Sequence, residues 1–183
     1  PGLIMTSISN FGQTGPYRDF KSSEVVAQSM GGLTYMTGDA DKPPLKLGGN
    51  QAQYQAGLNG GMAALTALWY HEETGLGQHV DISIMECIGS IMEQLDSQWE
   101  YCREIAVREG QRWIGRACWG PYECKDGWVT MCLVRRRMRP LADIVGEPVL
   151  KNPEYHMNTA LYADEIDMFL KPALKNIAKD DFY

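Results

Sequence analysis

Between a glycine-, proline- and lysine-rich loop over 38–50 and the pair Thr74-Gly75 lies a helical segment, roughly Gln51 to Glu73, that constrains the fold more than any other stretch. Its large apolar residues, Tyr54, Leu58, Met62, Leu65 and Trp69, recur at three- and four-residue spacing, the period of one helix face. A second stripe holds Gly57, Gly60, Gly61, Ala64 and Ala67. Each glycine inside a helix costs about 1 kcal/mol relative to alanine. Several together imply a compensating gain, and close approach of another backbone or of a ligand supplies one.

Other elements take their order from that helix. Leu3 to Ser7 has the pattern of a buried strand, and the run Ser9 to Tyr17 after it is dense in turn formers, so a strand delivers a long polar loop. Ser22 or Ser23 caps a short helix with Glu24 in its first turn, the body Val25 to Met30 and a stop at Gly31-Gly32. Beyond the long helix, His79 to Ile84 alternates as a half-buried strand. An amphipathic helix from about Met85 to Arg108 follows through Ile88, Ile91, Leu95, Trp99 and Cys102. At ~1.5 Å per residue it would exceed ~30 Å, a length suited to a strut between domains. After Gly110, Tyr122-Glu123-Cys124 and Trp128 to Val134 flank an Asp126-Gly127 turn, a hairpin signal. Short helices near Met138 to Val145 and Leu161 to Lys179 complete a small α+β domain, with Pro172 kinking the second or opening a new one. The expected division is 1–84, 85–110 and 111–183.

Composition excludes several function classes. A formal net charge of -6 disfavours a nucleic-acid partner, for which phosphate neutralisation supplies most of the affinity. Arg135, Arg136, Arg137 and Arg139 run against that trend and fit a solvated or interdomain surface, with a phosphate clamp as the alternative. The five cysteines are odd in number and form no C-x-x-C pair, which argues against a disulfide framework or a zinc site and for a reducing, cytoplasmic setting. His71, His79 and His156 are far apart, so no metal is expected. Apolar runs stay far below the ~20 residues needed to span a bilayer, and no membrane partner is expected. The opening Pro1-Gly2 lacks the order of a signal peptide, and Lys179 to Tyr183 stops within a helix-like pattern, so the chain is expected to be an internal fragment. Gly75-Leu76-Gly77-Gln78 sits between helix and strand, the reverse of a dinucleotide fingerprint. No P-loop, nucleophile elbow or H-E-x-x-H is present.

Three segments, in order and spacing, resemble the class III CoA-transferases of the CaiB/BaiF family, relatives of formyl-CoA transferase and 2-methylacyl-CoA racemase. They are Leu3 to Tyr17, then Glu24 to Leu33 with Thr37-Gly38 and Pro43-Pro44, then Thr74 to Asp81. The resemblance implies an α/β fragment of an interlocked-dimer fold: a partial Rossmann-like large domain, long connecting helices and a small α+β domain. It implies coenzyme A and acyl-CoA as substrates with no tightly bound cofactor, a carboxylic acid as co-substrate, and a homodimer or a heteromer with a sister subunit.

In that family an aspartate at the start of the glycine-rich helix attacks the thioester, giving a mixed anhydride and then an enzyme-CoA thioester. The family pattern D-Y-x-x-G reads Gln53-Tyr54-Gln55-Ala56-Gly57 here, and no Asp or Glu occurs from Lys42 to His71. A glutamine amide is not a usable nucleophile at neutral pH. Gln53 either caps its helix or binds a thioester carbonyl through its amide. The resemblance then allows a CoA-transferase with an altered nucleophile position, natural or engineered, or a noncatalytic acyl-CoA-binding subunit paired with an aspartate-bearing sister. A racemase-like isomerase ranks lower, because Ser23 stands where those relatives carry a histidine. Glu24 is the second catalytic candidate, although first-turn carboxylates are also routine helix-dipole partners. Ser9, Asn10, Phe11 and Gly12 match a loop that lies along CoA in the family. Lys42 and Lys46 are candidates for its phosphates or are solvated surface lysines.

Overall fold

The computed structural model describes residues 2–112 and 115–182, with the Glu93 side chain left aside. The chain forms two compact units, Pro1–Arg108 and Glu109–Tyr183.

In the first unit, strand β1 (Met5–Ser9) pairs in parallel with β2 (His79–Ser83), Met5 opposite His79 and Ser9 opposite Ser83. Parallel neighbours need a crossover connection. Here it contains α1 (Glu24–Met30), α2 (Leu33–Met36) and α3 (Gln51–Thr74). The small-residue stripe of α3 is packed in part: Gly60 and Ala67 are buried, together with Ala52 and Ala56, while Gly57 and Gly61 are exposed. A Cβ on Gly60 would stand 2.9 Å from Ile8 Cδ1, so the helix packs closely on β1 and a methyl group there would require the tip of the Ile8 side chain to shift. Gly57 and Gly61 meet no such neighbour. The larger stripe faces outward, with Tyr54, Leu58, Met62, Leu65 and Trp69 all exposed. Gly75, at φ 72, closes the helix by donating its N–H to the His71 carbonyl at 2.7 Å.

The single helix expected from Met85 to Arg108 is two: α4 (Ile84–Ser90) and α5 (Glu93–Cys102). The break follows Gly89-Ser90, where the Ser90 hydroxyl donates to the Cys87 carbonyl at 2.8 Å and competes with the helical ladder. Arg103, in the left-handed region at φ 57, ends α5 six residues before the expected limit is reached at about Arg108. α4 lies against α1, with no room for a Cβ at Gly31 beside Ile88. The buried cluster of this unit is small: Ala27, Ala52, Ala56, Ile84, Cys87 and Ile88.

The second unit holds an antiparallel hairpin of β3 (Trp119–Cys124) and β4 (Gly127–Cys132). Its turn is Lys125-Asp126, not Asp126-Gly127, because Gly127 already pairs with Cys124. Asp126 serves instead as an acceptor for the Lys179 N–H at 2.8 Å, a bond that lowers its pKa. Helices α6 (Met138–Val145), α7 (Pro153–Met157) and α8 (Ala163–Leu174) pack on the hairpin around Leu141, Leu150, Ile166, Leu170 and Leu174. Pro172 lies inside α8, which stops at Leu174 and not at Lys179. Among the described residues no helix is long and apolar enough to cross a membrane.

Candidate functional site

The direction of α3 decides which end of the first unit is chemically open. Near its C-terminus, His71 lies against Gly2, ahead of β1, while Gly60 lies against Ile8, near the end of that strand. The helix therefore runs opposite to the strands. Its N-terminus continues roughly 10 Å past Ile8 before reaching Gln53, at ~1.5 Å per residue. Ligands of open α/β sheets bind outside the carboxyl ends of the strands, and three parts of the chain converge on that end: the loop after β1, the start of α1 and the start of α3.

The loop is held by its own sequence. Phe11 is buried and its ring rests against Tyr17 at 5.9 Å. The Asn10 carbonyl accepts the Met85 N–H at 3.2 Å, and the Gln13 N–H donates to Asp81 at 2.8 Å. Gly12, at φ 82, makes the turn between those ties. The Ser9 hydroxyl is covered from solvent and has no hydrogen-bond partner among the described residues.

Glu24 is tied to α3 across 28 residues of sequence. Its Oε1 accepts the Ala52 N–H at 2.7 Å. The first four N–H groups of a helix lack an intrahelical acceptor, and Asn50, the local N-cap, provides no side-chain bond. Glu24 fills that gap, where a carboxylate is worth about 0.3–1 kcal/mol at the positive end of the helix. Gln28, fully buried, donates to the same Oε1 at 2.7 Å and accepts the Leu47 N–H at 3.0 Å. Glu24 Oε2 is covered and unpartnered among the described residues.

Gln53 follows Ala52 directly. Its side chain is exposed and makes no hydrogen bond among the described residues, so capping falls to Glu24 and the Gln53 amide points to solvent. Neither lysine is brought to it by a contact. Lys42 pairs with Asp39 at 2.7 Å, a bond that raises its pKa, and Lys46 donates to the Leu47 and Gly49 carbonyls at 2.5 and 2.9 Å. Sequence reasoning passed over Gln28, Asp81 and Arg108. Arg108 donates to the carbonyls of Tyr35, Asp39 and Lys42 and so fixes the loop before α3. An uninterrupted polar position on an apolar helix face, as at Gln28, was the one available signal.

Elsewhere the chemistry is sparse. Among the described residues no group of His, Cys, Asp and Glu is arranged to hold a metal. Arg135–Arg137 form a 3-10 turn, whose consecutive side chains project about 120° apart. They diverge rather than converge on one anion. An apolar depression lined by Leu65, Leu68, Trp69, Glu72 and Glu73 lies on the far half of α3, ~18 Å along the helix from Gln53.

A sequence profile described as CoA-transferase family III matches residues 1–181. The chain belongs to that family. It is similar to the succinyl-CoA–L-malate CoA-transferase beta subunit of Chloroflexus aurantiacus, 32% identical over 169 residues, covering 90% of this chain and 40% of the relative. It is similar to the alpha subunit from the same organism at 33% over 168 residues, covering 90% and 36%. A solved CaiB/BaiF family protein from Brucella suis shares the fold with a TM-score of 0.76 and 26% identity, over 100% of this chain and 49% of that one. This CoA-transferase family III chain thus spans about two fifths of the length of those curated relatives. Its α/β fold is that of the CaiB/BaiF proteins.

Proposed function

We propose that the chain forms part of a transferase that moves CoA between an acyl-CoA thioester and a carboxylic acid, with residue 53 facing the thioester. The observation that carries this reading is the bond from Glu24 to the Ala52 amide, which sets the start of α3 beside Gln53 at the carboxyl end of the parallel strands. Ser9, Asn10, Phe11 and Gly12 form the CoA-facing loop of that site. Glu24 acts there by holding the helix, since one of its oxygens is bonded twice and the other is covered.

Transfer between two carboxylates needs a carboxylate nucleophile, because attack on the thioester must give an anhydride that CoA thiolate can reopen at the enzyme's own carbonyl. Gln53 offers an amide whose nitrogen lone pair is delocalised and which gives no anhydride. The second reading follows from that residue: a noncatalytic acyl-CoA-binding subunit in a heteromer, whose sister chain supplies the aspartate. Similarity to both the alpha and the beta subunit of the Chloroflexus enzyme supports it equally from either side. A homodimer and a cytoplasmic setting belong to the first reading.

Gln53→Asp is the test. The protein is incubated without partners in an acyl-CoA and a carboxylate acceptor, and CoA exchange is followed by mass spectrometry. The expected result is no turnover with Gln53 and measurable turnover, through an enzyme-bound CoA thioester, with the aspartate variant. Turnover by the unaltered chain would remove the noncatalytic reading. An inert Gln53→Asp protein would mean that residue 53 is not at the thioester.

A further inference from the structure

Gln28 is the only fully buried side chain of the first unit, among the described residues, that carries an amide, and each end of that amide is used. Its Nε2 donates to Glu24 Oε1 at 2.7 Å and its Oε1 accepts the Leu47 N–H at 3.0 Å. Three segments meet there: α1, the loop that leads into α3, and, through Glu24, the first turn of α3 itself. The arrangement has a definite polarity. A carboxylate oxygen accepts two charge-assisted bonds, one from a main-chain N–H and one from a side-chain amide, so its torsion is fixed by both. Without Gln28, Glu24 keeps one bond and is free to turn about it, and Leu47 loses the acceptor that anchors the approach to residue 53.

We propose that Gln28 is a positioning residue: it fixes residue 53, acting through Glu24 and Leu47, without touching substrate. The inference rests on the reading that residue 53 faces the thioester, but the ordering of residue 53 is measurable apart from any activity. It is also distinct from general stabilisation of the fold, because an effect transmitted through Glu24 disappears once Glu24 is altered.

Two measurements test it. In the first, a nitroxide is attached at position 53 (Gln53→Cys, with Cys102→Ser and Cys132→Ser), and its mobility is read by electron paramagnetic resonance in the intact protein. Gln28→Leu is expected to raise that mobility, and Gln28→Glu, which keeps an acceptor for Leu47 but sets a carboxylate against Glu24, to raise it also. In a Glu24→Ala background, which removes the shared acceptor, Gln28→Glu is expected to add little, and Gln28→Leu only the share carried by Leu47. Unchanged mobility in both Gln28 variants, or an undiminished Gln28→Glu effect in the Glu24→Ala background, overturns the proposal. In the second, kinetics in the Gln53→Asp protein are expected to show kcat lowered roughly tenfold by Gln28→Glu with KM for acyl-CoA within about twofold, the signature of misplacement rather than lost binding. A change confined to KM overturns it. If Gln53→Asp has no activity, the function reading fails alone, and the nitroxide result decides the role of Gln28.

Discussion

The two compact units bury their apolar residues in opposite ways. From Glu109 onward, Leu150, Ile166, Leu170 and Leu174 are fully enclosed in one cluster, and each such side chain is worth about 1.5–3 kcal/mol once removed from water. Up to Arg108 half of the residues in the enclosed cluster are alanines, while the large side chains of α3 face outward, Leu65 at 70% and Trp69 at 74% exposure. The polar groups differ in the same sense. In the second unit Asp167 is buried and satisfied by Arg112 at 2.7 Å, Lys171 at 2.9 Å and the Tyr122 hydroxyl at 2.9 Å. In the first, Ser9 Oγ and Glu24 Oε2 are covered without partners among the described residues. One unit spends its interior on holding itself together; the other packs small residues of α3 against the side chains of β1 and has a polar end whose bonding is incomplete.

The largest effect expected from this contrast is at Asp167. Asp167→Ala leaves Arg112 with the exposed Asp164 and the Ala163 carbonyl and removes the acceptor of a buried tyrosine hydroxyl. Breaking a buried pair by deleting one partner costs about 3–5 kcal/mol. Urea unfolding of the second unit would measure it. A loss below about 1 kcal/mol would mean that the network is ornamental to that core and that the two units differ less than their geometry states.

A smaller effect follows from the thiol beside that network. Burial, and then the Asp167 charge, push the Cys118 pKa up from 9.0 to about 12, and the same causes raise that of Tyr122. A folded-state pKa above the unfolded value means that this stabilisation is intact below pH 9.0 and is lost as pH rises towards 12. Over that interval the unfolded thiol ionises while the folded one stays protonated. Stability of the second unit is expected to fall with rising pH by up to about 1.4 kcal/mol per pH unit from this group. Thermal unfolding at a series of alkaline pH values would show the slope, and Cys118→Ala would reduce it, leaving the share of Tyr122 above pH 10.0. Native thiol labelling sharpens the point: Cys102 and Cys132 are exposed and react first, while Cys118 stays protected.

How much of this was legible in the residues depends on the distance over which each feature is encoded. Apolar spacing and terminal glycines mark α3 and its stop at Gly75, and alternation marks β2, because both signals are local. The break between α4 and α5 was missed because apolar residues keep their helical period across Gly89-Ser90 even though the backbone does not. The hairpin was found from Asp126-Gly127, yet its turn lies one residue earlier, since a left-handed residue tolerated at Gly127 reads the same way in either register. Which part of α3 packs is a tertiary fact: Ala52, Ala56, Gly60 and Ala67 face the interior, Gly60 close to the Ile8 side chain of β1, while Gly57 and Gly61 of the same small-residue stripe are exposed. The candidate site was legible as residue types but not as bonds. Glu24 carries a helix-start signal for α1, and nothing nearby says that its side chain caps another helix. Lys42 and Lys46 looked like anion ligands, and their ammonium groups are held by Asp39 and by loop carbonyls.

The smallest effect is the one that tests the outward face of α3. Leu65 contributes little to any interior at 70% exposure, so Leu65→Ser should change the unfolding free energy by no more than about 0.5 kcal/mol, the usual range for surface substitutions. Serine is slightly worse than leucine as a helix former, which accounts for a few tenths of that figure. The measurement is informative because its neighbours are set by the opposite rule: on the packed face, Gly60 sits so close to Ile8 that a methyl group would require that side chain to shift. A cost above about 1 kcal/mol for Leu65→Ser, growing with protein concentration, would show the face covered in solution. The contrast between the units would then describe one chain alone and not the protein at working concentration.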